Sequence, residues 1–91
     1  MDQRLVAEIG RNNVLHWNYR DYEVMPQELL DYGRNVEELY QKENNLKTLP
    51  HNIDCLANLH SLHLYGNKLS ALPHSLERQA VFLYTLYNVF S

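Results

Sequence analysis

The sequence predicts an α/β-type solenoid: a short curved stack of repeats, with parallel strands on the concave face and loops or short helical turns on the convex face. Three observations carry this expectation. The chain repeats itself at an offset of 23 residues, pairing Val36 with Leu59, Leu39 with Leu62, Asn44 with Asn67, Leu46 with Leu69, Leu49 with Leu72, Pro50 with Pro73 and Ile53 with Leu76. A fixed period of 20–50 residues marks stacked architectures, in which each unit buries its apolar face against its neighbours. Leu39-Tyr40-Gln41 and Leu62-His63-Leu64 show the two-residue alternation of a strand. Each is followed by an asparagine and then by Leu-Pro, which marks a corner and a return segment.

Composition sets the limits. At 91 residues the chain makes one domain at most. A hydrophobic fraction of 45% with 21% charged residues is ordinary for a globular protein and argues against wholesale disorder. The net charge of -3 and the lack of a basic stripe argue against nucleic acid and acidic membranes as partners. Cys55 is the only cysteine, so neither an internal disulfide nor a multi-cysteine zinc site can form. Charges interrupt every short apolar run near Met1, so no signal-peptide core is visible. A cytoplasmic, intracellular protein is expected.

Taken in order, residues 1–11 read as an N-terminal capping segment. Leu5, Val6 and Ile9 have helical spacing, with Asp2 as N-cap and Gly10 as the stop. Residues 12–35 read as a degenerate first repeat. Leu15, Trp17, Tyr22 and Met25 fall at apolar positions, Pro26 lies 24 residues before Pro50, and Arg20 stands where the asparagine belongs. The extra residue is expected within Tyr32-Gly33-Arg34-Asn35. Residues 36–58 form the second repeat and 59–79 the third. Strands are expected near Leu15–Trp17, Leu39–Gln41 and Leu62–Leu64. Gln41 departs from the pattern, because Leu64 shows that position to be a core site, and a buried amide there must find partners. Residues 80–91 form an uncharged apolar tail. It is expected either to close the open end of the third repeat near Leu69 and Leu76 or to be a grafted sequence.

The unit has the form L-x-x-L-x-L-x-x-N-x-L-x-x-L-P-x-x-L and resembles the leucine-rich repeat family. The central Leu-Pro looks like the intracellular subclass found in Ras-pathway scaffolds and plant intracellular repeat proteins. Trp17-Asn18-Tyr19-Arg20 and Met25-Pro26-Gln27-Glu28-Leu29-Leu30 look like the start of some small leucine-rich-repeat-containing proteins. The resemblance covers about Asn12 to Leu76. It implies that Asn44 and Asn67 stack as a structural asparagine ladder, each side-chain amide satisfying backbone groups at a corner.

Little in the sequence can carry catalysis. No catalytic residue, cofactor-binding residue or metal ligand is expected, and no cofactor. The histidines lack a third ligand, Gly10, Gly33 and Gly66 are isolated, and Cys55 reads as a partly buried small hydrophobe. What remains is the concave face. Alternation places His16, Tyr40 and His63 in one outward row and Asn18, Lys42 and Tyr65 in the next, and tyrosines suit interfaces because they bury a large area and keep a polar tip. The expected function is therefore a non-enzymatic protein-protein interaction module, a scaffold or adaptor binding a protein partner there. A monomer is expected, with self-association through the tail as an alternative. A competing expectation is a truncated or alternatively spliced fragment of a longer repeat protein, with little function of its own.

Overall fold

A computed structural model describes residues 1–77, so the expectations for the tail at 80–91 lie outside the described residues, as does the end of the third repeat. The chain runs α1 (Gln3–Arg11), β1 (Val14–His16), α2 (Gln27–Tyr32), β2 (Glu38–Tyr40), a 3-10 turn (Ile53–Cys55), β3 (Ser61–His63) and α3 (His74–Glu77). The three strands form one parallel sheet in the order β1-β2-β3, an α/β arrangement. Leu15 pairs with Leu39 and Leu39 with Leu62. Each strand begins one residue earlier than expected, and the parallel hydrogen bonding runs on past it: Trp17 N–H donates to the Tyr40 carbonyl at 2.8 Å and Gln41 N–H to the His63 carbonyl at 2.9 Å.

α1 begins where its cap requires. The Asp2 carboxylate accepts from the Arg4 and Leu5 N–H groups at 2.9 and 3.2 Å, satisfying donors that a helix start leaves open. Gly10 does not stop the helix. It lies inside α1, which ends at Arg11 with Asn12 extended at φ -129°. The Asn12 amide turns back to donate to the Glu8 carbonyl at 2.8 Å, which supplies the stop that Gly10 does not. α1 packs on α2, and the Asp2 N–H donates to Glu28 Oε2 at 2.9 Å. That bond and the N–H of Glu28 itself hold the Glu28 carboxyl below its ordinary value.

The return segments are built alike up to a point. Pro26, Pro50 and Pro73 accept from the N–H groups of Leu29, Ile53 and Leu76 at 3.0, 3.2 and 3.0 Å. Proline suits this place because its fixed φ opens the turn and no N–H is needed from it. The segments then diverge. Gly33 N–H reaches the carbonyl of Leu29, four residues back, whereas Leu56 N–H reaches Ile53, three back. An α-helical turn thus stands where the next return has a 3-10 turn, and it takes up one more residue. This is the physical origin of the 24-residue first spacing. The added residue falls within 30–33, overlapping the expected Tyr32–Asn35. Gly33 is required there: a Cβ would collide with the Leu29 carbonyl and crowd a Leu56 methyl.

The core lies between the sheet and the return segments. Leu15, Trp17, Leu39, Leu46, Leu49, Ile53, Leu56, Leu59, Leu62, Leu64, Leu69 and Leu76 are buried in it, together with Ile9, Met25, Leu29 and Val36. Leu72 is half-buried against its edge. Cys55, expected to be partly buried, is exposed, because the short 3-10 turn points Ile53 inward and leaves Cys55 outside.

Candidate protein-binding face

The side of the sheet opposite the leucines carries the expected outward residues. The register sets His16 beside Tyr40 and Tyr40 beside His63. Parallel strands lie roughly 4.8 Å apart, a spacing that lets flat rings on neighbouring strands meet face to face. The three rings do so. His16 and Tyr40 are stacked with centroids 5.0 Å apart and planes 15° from parallel, and Tyr40 and His63 with centroids 4.2 Å apart and planes 2° from parallel. His16 is exposed, while Tyr40 and His63 are half-buried. Burial and the Lys42 ammonium hold the His63 imidazole below its ordinary pKa of 6.5, against a weaker upward pull from Glu38.

The second expected row is less uniform. The Asn18 side chain accepts from the Lys42 N–H at 2.7 Å, so it closes the corner between strands rather than standing free. Lys42 is half-buried and Tyr65 is 43% exposed. Tyr19, after β1 at the other edge of the sheet, is 78% exposed.

The face is fixed from below by two asparagines. Asn44 Oδ1 accepts from the Arg20 and Tyr22 N–H groups at 2.9 and 3.1 Å, and its Nδ2 donates to the Trp17 carbonyl at 2.9 Å. Asn67 Oδ1 accepts from Leu46 N–H at 3.0 Å, and its Nδ2 donates to the Gln41 and Leu64 carbonyls at 2.7 and 3.0 Å. Both side chains are buried, and the bonds to the Trp17, Gln41 and Leu64 carbonyls and the Leu46 N–H are buried with them, where a backbone group needs a protein partner. Between them Gln41 is wholly buried. Its Oε1 accepts from Asn44 Nδ2 at 3.2 Å, but its Nε2 has no partner among the described residues.

Two features escaped the sequence reading. The first is a lock on the first segment. Glu8 accepts from the buried Trp17 indole N–H at 3.0 Å and pairs with Arg20 at 3.5 Å, while the Arg20 guanidinium lies 5.8 Å from the Trp17 ring centroid. No spacing rule joins Glu8 to Trp17 across a helix end. The second is a recurrent left-handed residue. Tyr19, Glu43 and Gly66 have φ of 58°, 56° and 84° and occupy matching places after the three strands. Gly66 was the available signal, since a glycine in register with two larger residues points to a backbone conformation that only glycine adopts freely.

No set of three His, Cys, Asp or Glu side chains able to hold a metal occurs among the described residues. Among the described residues no helix is long and apolar enough to cross a membrane. The chain matches no family model and no solved structure.

Proposed function

We propose that the chain is a non-enzymatic interaction module of the leucine-rich-repeat kind, a cytoplasmic scaffold or adaptor that binds a protein partner on the outer face of its sheet. The observation that carries this reading is the stacked His16–Tyr40–His63 row. Rings held face to face across three strands form a rigid surface, so docking on it costs little side-chain entropy. Exposed Tyr65, two residues after His63, adds to this face, and tyrosine is enriched where proteins meet. The repeat reading is supported by recurrence: Leu15, Leu39 and Leu62 share one register, Asn44 and Asn67 make corresponding bonds, and three prolines accept corresponding backbone bonds.

The test is affinity capture from a cell extract with the wild-type chain, Tyr40→Ala, Tyr65→Ala and the remote exposed control Lys47→Ala, each checked for folding by circular dichroism. A partner held by the wild type and by Lys47→Ala, and lost with Tyr40→Ala or Tyr65→Ala, is the expected result. A partner retained equally by all four chains would remove the sheet face from consideration.

A further inference from the structure

β1 is an outer strand of the sheet. In a parallel ladder each residue turns both of its backbone groups to one side, and successive residues alternate sides. The Asn13 carbonyl accepts from Glu38 N–H, Trp17 N–H donates to the Tyr40 carbonyl and Tyr19 N–H to the Lys42 carbonyl. The odd-numbered residues therefore bond β2, and the N–H and C=O of Val14 and His16 point away from the sheet. No described residue pairs with that edge. Such an edge is a template for another chain, and proteins blunt it with charges, proline, a bulge or a covering element. Among the described residues β1 has none of these. Residues 12–19 contain no charged side chain and no proline, the register with β2 is unbroken, and α1 packs on α2 rather than along the strand. The ring row ends at the same edge. Exposed His16 stacks on Tyr40 at 5.0 Å, and its other side meets no ring among the described residues. The side of α1 opposite buried Ile9 lines an open groove with Arg4, Glu8 and Arg11, and the Glu8–Trp17 bond sets it at the β1 end of the stack. A face carrying both signs can meet a copy of itself, where a face of one sign would repel it.

We propose that β1 pairs antiparallel with β1 of a second copy of this chain, about a two-fold axis at His16, so that the two sheets become one of six strands and the two ring rows one of six rings. Three features of the edge select a copy as its occupant. First, the two-fold turns the His16 N–H of each copy to the His16 carbonyl of the other and sets Val14 toward Asn18, so both open edges are satisfied at once. Second, the copy brings a ring to the open side of His16. Residues paired in this way lie about 5.5 Å apart, close to the 5.0 Å between His16 and Tyr40. Third, no like charges meet along the strand, because residues 12–19 carry none. Both copies are acidic at -3, so contact at this uncharged segment avoids the repulsion that most other approaches would meet. The edge is a different surface from the outer face of the sheet, and the two readings stand or fall separately.

The experiment is sedimentation equilibrium of the full chain at about pH 7.5, from about 10 μM to about 1 mM, a range that reaches the weak association of small interfaces. The wild type should show a reversible monomer–dimer equilibrium. A residue on a two-fold axis meets itself, so His16→Lys and His16→Glu should each weaken the dimer about ten-fold, through opposed like charges and the lost ring contact. An equimolar mixture of the two should regain it, because lysine then faces glutamate. Val14→Pro removes an outward N–H that β2 does not use, and it should weaken the dimer while leaving the circular dichroism spectrum unchanged. A wild-type chain that stays monomeric at about 1 mM overturns the proposal. Both His16 variants dimerising as tightly as the wild type would also overturn it, because the contact would then lie elsewhere, the 80–91 segment included. A mixture no tighter than either variant alone overturns it as well, because the axis would not pass through His16.

Discussion

Replacing Asn67 by alanine should be among the most damaging single changes in this chain. The side chain is buried and serves three backbone groups: the Leu46 N–H at 3.0 Å, and the Gln41 and Leu64 carbonyls at 2.7 and 3.0 Å. Alanine leaves all three without a partner in a place water does not reach. A buried polar group left unpaired costs about 1–3 kcal/mol. Carbonyls tolerate this better than N–H groups, and some relaxation will let water in, so the sum is about 3–6 kcal/mol. Against the roughly 5–15 kcal/mol of a typical domain, that loss approaches global unfolding. Asn45 provides the comparison, since its Nδ2 donates only to Asp21 at 3.1 Å in an exposed setting. Asn45→Ala should cost less than about 0.5 kcal/mol, as surface changes usually do. Urea unfolding followed by far-ultraviolet circular dichroism measures both. An Asn67→Ala midpoint within about 1 kcal/mol of the wild type would refute the argument that these asparagines hold the corners.

Three further outcomes follow from the same geometry. Glu43→Gly should raise the unfolding midpoint by about 0.5–1 kcal/mol, since a left-handed residue with a Cβ costs about 1–2 kcal/mol and glycine returns part of that in unfolded-state entropy; Gly66→Ala should lower it, and a midpoint that moves the other way in either chain counts against the left-handed assignment at φ 56° and 84°. Gln41→Leu should stabilise by about 1–2 kcal/mol, because it removes a buried donor that has no partner while Asn44 keeps its bond to Trp17; a lower midpoint would show that the Gln41–Asn44 bond is worth more than the unpaired amide costs. The depressed His63 pKa makes the folded chain bind its proton less readily than the unfolded chain, so its contribution to stability is full above pH 6.5 and is lost as the pH falls below it. Thermal melts at pH 7.5 and 5.5 should therefore show a larger acid loss in the wild type than in His63→Gln, and equal losses in the two would dismiss the effect.

Much of the sheet was legible because the sequence is periodic. A 23-residue offset fixes which leucines share a register, and the parallel pairing of Leu15, Leu39 and Leu62 follows from it. The ring row was legible for the same reason, since strand alternation places position 16, 40 or 63 next to an inward leucine. What depended on local backbone hydrogen bonding was not legible. Whether a return segment closes through a four-residue or a three-residue bond is decided by packing at Gly33 and Leu56, and that choice displaced the extra residue by a few positions. Gly10 reads as a stop in any list of helix signals, yet the chain runs past it because Asn12 and Glu8 complete the turn beyond.

The departures from periodicity are where physical reasoning has most to explain. Trp17, Gln41 and Leu64 occupy matching positions, and only the middle one is polar. The indole of Trp17 finds Glu8 outside the sheet, so its single donor is satisfied by an element the repeat does not contain. Gln41 has the same problem with two donors and no such element within reach. Its carbonyl oxygen is used by Asn44, which orients the amide, and Nε2 is left buried without a hydrogen-bond partner among the described residues. A leucine there would pack as Leu64 does and would leave Asn44 its bonds to the Trp17 and Lys42 carbonyls. The amide is therefore dispensable for the asparagine it touches. A fold built wholly for stability would not retain it, and Gln41 lies directly after Tyr40, the central ring of the row that the proposed partner would meet.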